Sequence, residues 1–110
     1  MRRIVGSAAG VLFCLAVLVV PCRLQAQSDA AKVFKASCVM CHAEDGSGNS
    51  TAGKALKAKD LRSAEVQGKA DAELTETITK GKGKMPAFGA KFSPDQIKSL
   101  VTYIRQLPKK

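Results

Sequence analysis

Cys38-Val39-Met40-Cys41-His42 is the stretch of this 110-residue chain on which its fold turns. Two thiols stand three positions apart and an imidazole follows the second directly. On the end of a helix, side chains at i and i+3 project to one side, so the pair can grip one edge of a single object while the imidazole swings over its face. Three chemistries use such a group: a thiol redox pair, a zinc site, and covalent attachment of a porphyrin.

Upstream, Arg2 and Arg3 precede an apolar run from Gly10 to Val20, and Leu24-Gln25-Ala26 follows it. That is the layout of a secretory signal peptide, with cleavage expected after Ala26 and a single domain over 27–110. Two alternatives accompany it. If the run is stretched back to Ile4 it reaches 17 residues, the lower edge of a retained membrane anchor facing the periplasm. Cys22 invites lipidation, though Pro21 before it fits that motif poorly. Cleavage at Ala26 removes Cys14 and Cys22 and leaves Cys38 and Cys41, a pair too close in sequence to close a useful loop as a disulfide. It also removes Arg2, Arg3 and Arg23, so 15 of the 18 Lys and Arg remain against nine Asp and Glu, a formal +6. Such a balance points to redox partners with acidic docking surfaces or to an anionic membrane surface. Nucleic acid is excluded as a partner, because scattered lysines with single aromatics are not a clustered basic and stacking surface.

Downstream the pattern is all-α, with three to four helices and long loops. Asp29 is the expected cap of a first helix running to about Met40, with Val33 and Phe34 on its buried face. Asp71 is the expected cap of a second, in which Leu74 and Ile78 stand four apart and Gly81 supplies the stop. The last helix opens on Ser93, Pro94 and Gln96, a capping-box spacing, and continues as an apolar stripe of Ile97, Leu100, Val101 and Ile104 until Pro108. Between the first two lies Gly46 to Gly68, where only a turn or two around Leu56 and Leu61 is expected.

The core is thin. There is no Trp, and after the leader only Phe34, Phe88, Phe92 and Tyr103 are aromatic, so a large planar cofactor among the helices would supply missing apolar contact. The zinc alternative fails on ligand number, since the chain after Ala26 has one His and two Cys. A thioredoxin-like pair would want a preceding strand, and no strand pattern competes. Cys38 and Cys41 are therefore assigned as the thioether attachments of one haem c, and His42 as the proximal axial ligand of its iron. The sixth ligand is assigned to Met85, 43 residues after His42, beyond Lys80-Gly81-Lys82-Gly83-Lys84 and directly before Pro86. Met1 is lost with the leader and Met40 lies inside the attachment motif, so Met85 alone is free to reach the far face.

With these residues in place the chain resembles the class I cytochromes c, in particular their short bacterial and photosynthetic-type members. The likeness spans residues 28–110. It rests on Val33-Phe34 ahead of the 38–42 motif, on Gly81-Lys82-Gly83-Lys84-Met85-Pro86-Ala87-Phe88, and on Leu100-Val101-Thr102-Tyr103-Ile104. The resemblance implies a small cytochrome c fold in which the first and last helices cross near one covalently bound haem, with Phe34 against Tyr103 or Leu100. It also implies His42 and Met85 as axial ligands. Two features depart from the family. Ala30 stands where a Gly is usual at the helix crossing, and no Pro follows the motif to offer a carbonyl to the proximal imidazole. That carbonyl is expected instead near Ala52 to Leu56.

A haem iron with both axial positions filled passes electrons rather than binding small molecules, so the expected function is one-electron transfer between periplasmic partners by a monomer that is not an enzyme. Lys80, Lys82, Lys84 and Lys91 lie next to the ligand loop, and some of them are expected to ring the exposed haem edge. A haem enzyme or gas sensor is the competing class and would need a distal acid or base, for which Arg62 and Arg105 are poorly placed. A dedicated subunit of a larger redox complex is the third.

Overall fold

The computed structural model describes residues 22–109, so most of the expected leader lies outside it. Six helices follow in order: α1 Cys22–Ser37, α2 Val39–His42, α3 Thr51–Leu56, α4 Ala64–Gln67, α5 Asp71–Lys80 and α6 Pro94–Arg105. The all-α class is as expected. Among the described residues there is no strand, and β-type pairing is confined to an isolated bridge between Lys82 and Met85. The three long helices are the three anticipated, whereas α2, α3 and α4 are pieces of four to six residues. Helices that short do not hold themselves together in water, so their position is set by what they bond to.

Two caps differ from expectation. α1 starts at Cys22, which places Asp29 in its interior rather than at its cap. α5 has Ala70 at its N-cap without a side-chain bond, and Asp71 is its first helical residue. There the carboxylate still faces the positive end of the helix dipole. α6 begins as foreseen: the Ser93 hydroxyl accepts from the Gln96 amide, the Gln96 side chain accepts from the Ser93 amide, and Pro94 occupies the first turn. Gly81 ends α5 with φ 75°, a left-handed conformation that favours glycine.

α6 is the post against which the rest packs. Its stripe of Ile97, Leu100, Val101 and Ile104 is buried, and so are Phe34 of α1 and Leu74 and Ile78 of α5. The Phe34 ring lies 5.0 Å from that of Tyr103, tilted 45°. Ala30 is 3 % exposed, so the side chain standing where the family prefers glycine is indeed pressed into the crossing. Phe34 and Leu100 are the largest fully buried side chains. Truncating such a phenylalanine removes its transfer free energy and leaves a cavity that only partly collapses. F34A is therefore expected to lower the unfolding free energy by about 3–5 kcal/mol. Guanidinium titration followed by far-ultraviolet circular dichroism reads this directly, and a loss below about 1 kcal/mol would show that α1 is not held to α6 through this ring.

Candidate functional site

α1 stops where the site starts. Cys38 leaves α1 with its amide still bonded to the Phe34 carbonyl at 2.8 Å, and its own carbonyl accepts from both Cys41 at 3.2 Å and His42 at 2.9 Å. One tight turn thus carries the whole motif, and the i, i+3 relation keeps the two thiols on one side of it. Ala43, with φ 62°, then reverses the chain so that Gly48 can donate to the His42 carbonyl at 2.7 Å.

The returning loop fastens this turn from outside. The Ser50 hydroxyl donates to the Met40 carbonyl at 2.6 Å and accepts from the Gly53 amide at 2.9 Å, so one side chain caps α3 and ties it to α2. Gly53 makes that approach possible: a Cβ there would lie 2.1 Å from the Cys41 carbonyl oxygen and 2.4 Å from that of Gly48. The Lys59 carbonyl accepts from His42 Nδ1 at 3.1 Å. A carbonyl can only accept, so Nδ1 carries the proton and Nε2 keeps its lone pair. The expected carbonyl exists, but it belongs to Lys59 rather than to Ala52 to Leu56. α3 occupies those positions, and its Gly53 and Lys54 carbonyls accept from its C-cap.

Met85 comes from the other side of the sequence through an equally fixed loop. Lys82 and Met85 exchange backbone hydrogen bonds of 3.1 and 3.0 Å, and Phe88 and Gly89 donate to the Ile78 and Thr79 carbonyls at 2.9 and 3.0 Å. Gly81 is required here as well, since a Cβ would lie 2.6 Å from the Met85 carbonyl oxygen.

These two loops converge on one cavity of about 290 Å³. Cys38, His42 and Met85 all line it, together with Phe34, Leu100 and Ile104 from the core and Phe88 and Phe92 from the loop before α6. Cys41 is half-buried one turn beyond Cys38, and is not among the lining residues. The surroundings are apolar enough to move the titrating groups. Burial pushes the Cys38 thiol up to about 11, against the pull of the Lys91 ammonium. Burial also holds His42 below the usual imidazole range, opposed by its bond to the Lys59 carbonyl. Both groups thus stand neutral at pH 7, the form in which an imidazole offers a lone pair.

The polar part of the lining contains one of the four lysines expected near the edge. Lys82 is there, but its companions are Lys59 and Lys69 with Glu65 and Thr77. Lys59 pairs with Glu65 at 2.9 Å and Lys69 with Glu73 at 2.8 Å. Lys80 is drawn to Glu76 at 2.9 Å, while Lys91 reaches Ser37 at 3.2 Å and lies over the Phe92 ring. No spacing rule could have found Lys59 and Lys69, which sit 17 and 27 residues beyond His42 in the loop that folds back.

An apolar cavity with an imidazole lone pair, a thiol and a thioether on its lining carries the donors that a covalently held iron porphyrin takes. Comparison with known proteins agrees. Residues 25–104 match the family described as cytochrome C oxidase, cbb3-type, subunit III. The chain is a small class I mono-haem cytochrome c. This cytochrome is 41 % identical over 80 residues to cytochrome c6 of Gloeothece citriformis, covering 72 % of this chain and 69 % of that one. It is 39 % identical over 79 residues to the cbb3-type cytochrome c oxidase subunit FixP of Azorhizobium caulinodans, covering 70 % of this chain but only 26 % of that protein. Among solved structures, the c-type cytochrome KustC0563 superposes with a TM-score of 0.65 at 33 % identity, over 74 % of this chain and 98 % of that one. The cofactor of the present chain is a c-type haem, and the chain is an electron-transfer protein.

The glycine contacts make a sharp comparison. G53A drives a methyl group into two carbonyl oxygens beneath the cysteine motif, whereas G83A, with φ 57° but nothing within 4 Å of its Cβ, meets only backbone strain. G53A is expected to cost about 2 kcal/mol or more, a fall in Tm of about 10 °C, and G83A about 1 kcal/mol. Thermal unfolding of the two variants side by side checks this, and equal losses would show that the loop does not press on α2.

Proposed function

We propose that this cytochrome is an exported, diffusible one-electron carrier whose haem is joined to Cys38 and Cys41 and ligated axially by His42 and Met85. Export would follow from the leader at 1–26, and the mature domain would be the monomeric remainder, 27–110. Among the described residues no helix is long and apolar enough to cross a membrane. The observation that carries the reading is the convergence of Cys38, His42 and Met85, from α2 and from the loop after α5, on one cavity.

The bound haem would supply the one-electron iron couple. The chain's own part is to hold the donors still and keep water out. His42, donating through Nδ1 to the Lys59 carbonyl, has its ring orientation fixed and its Nε2 made more basic. Met85 is held by the bridged turn at Lys82, and a thioether on iron raises the potential. Phe34, Leu100, Phe88 and Phe92 provide apolar lining. The spectrum tests the assignment: M85A is expected to lose the weak far-red band of the oxidised protein and to lower the midpoint potential. Haem staining after denaturation should persist in M85A and vanish in the C38A/C41A double variant. A far-red band retained in M85A would overturn Met85 as the ligand, whereas covalent haem without that band in the parent protein would favour a haem enzyme or sensor.

Electrostatics supports a transient encounter with an acidic partner. Lys59, Lys69 and Lys82 stand at the cavity, and the expected mature chain carries a formal +6. The ion pairs among these residues are exposed and add little stability, but their field acts over distance. The rate of electron transfer to an anionic one-electron oxidant is expected to fall on the order of tenfold as the Debye length is shortened from about 30 Å to about 10 Å with salt. A flat dependence would remove the docking argument. A second reading, in which the cytochrome serves a terminal oxidase as a bound subunit, draws on the match to subunit III and to FixP. Stable co-purification with such a complex from membranes would favour it over the diffusible carrier.

A further inference from the structure

Arg105, at the end of α6, makes the densest set of polar contacts in the described domain. Its Nη1 donates to the Gln67 carbonyl at 2.7 Å and its Nη2 to the Lys69 carbonyl. Nε and Nη2 both donate to Asp71 Oδ1, at 3.0 and 2.9 Å. The Gln67 side chain completes the tie, donating to the Leu61 carbonyl at 2.7 Å and to the Ile104 carbonyl at 3.1 Å. The guanidinium is 25 % exposed, and Asp71 is 75 % exposed. The ion pair is therefore largely screened, and the two backbone carbonyls are the acceptors that fix geometry.

What this fork holds is a wall of the cavity. α4 is four residues long and cannot set its own position, yet Glu65 and Val66 on it, and Lys69 just after it, line the cavity. α5, which starts at Asp71, contributes Leu74, Thr77 and Ile78 to the same lining. The chain between α4 and α5 has no hydrophobic anchor of its own, and the planar five-donor guanidinium ties it to α6 at three residues, 67, 69 and 71.

We propose that Arg105 is a positioning residue that sets how tightly the α4–α5 wall closes over the haem cavity, and thereby tunes the reduction potential by limiting water at the iron. It rests on the haem reading of the cavity given above. A looser wall admits water, and a wetter, more polar surrounding stabilises the more highly charged oxidised iron. The charge of Arg105 is not what acts. Its fork is.

The test uses the holoprotein as it is produced, with R105Q, R105K and D71N. Amide hydrogen exchange is read at Gln67, Gly68 and Lys69, which are hydrogen-bonded within the wall, and at Leu100 and Val101 in α6. R105Q is expected to speed wall exchange at least tenfold while α6 changes less than twofold, and to lower the midpoint potential. R105K should follow R105Q, because one ammonium cannot span both carbonyls, and D71N should stay within twofold of the parent. Equal acceleration of wall and α6 in R105Q would make Arg105 a general stabiliser and overturn the proposal. So would a potential that stays put while the wall loosens, or an R105K that behaves as the parent. If R105Q does not fold, R105K against D71N carries the same comparison. A parent protein that keeps no haem after denaturation would instead sink the cofactor assignment, and the exchange comparison would still decide the clamp.

Discussion

Phe34 is 2 % exposed under α6, with its ring 5.0 Å from Tyr103, and its carbonyl accepts the amide of Cys38 four residues later. That succession transmits a packing decision into a chemical one. Once the ring is seated, the end of α1 has no freedom left, and Cys38 leaves the helix against the cavity. The remaining parts are referred to the same helix. Leu74 and Ile78 bring α5 to it, Arg105 and Gln67 bring the α4–α5 turn, and Leu107 beyond its end packs on Gly46, where a Cβ would lie 2.6 Å from it. Among the described residues the buried cluster has ten members, so the small core leans on α6 for most of its contacts.

The two sides of the cavity are built largely from backbone. On one side the carbonyls of Met40, Cys41 and His42 are held or crowded by Ser50, Gly53 and Gly48, and the Lys59 carbonyl holds the imidazole. On the other, Gly81 and the Lys82–Met85 bridge present the thioether. This accounts for a long segment rich in glycine, serine, alanine and lysine in a small domain. Close backbone approach needs small side chains, and the lysines on its surface cost nothing in packing. The exposed pairs Lys59 with Glu65 and Lys80 with Glu76 depress the carboxylates and shape the surface field rather than the fold.

Reading by local rule worked where the cause was local and misplaced what depended on distant partners. The capping box at Ser93, the stripe of α6 and the glycine stop at Gly81 are each decided by residues within one or two turns. Asp29 failed as a cap because α1 continues upstream through it, and Asp71 moved one position inward because Ala70 takes the cap conformation. The acceptor for His42 was sought too early because α3 was read as loose chain. Once α3 forms, the Gly53 and Lys54 carbonyls are taken by its C-cap, and the imidazole bonds to the carbonyl of Lys59 beyond it.

By itself the sequence determined the helical class, the three long helices, the cysteine–histidine motif and the single methionine that can face it, since each depends on short-range spacing or on the counting of residue types. Only the tertiary structure decided that Lys59 and Lys69 join Lys82 at the cavity, that Lys91 reaches Ser37 beside the cysteine motif, and that Arg105 grips the α4–α5 wall. The grip of Arg105 joins residues 34 to 38 positions apart across a chain segment whose path is set by hydrogen bonds to α6. No periodicity carries that information, because the path exists only after the helices have packed.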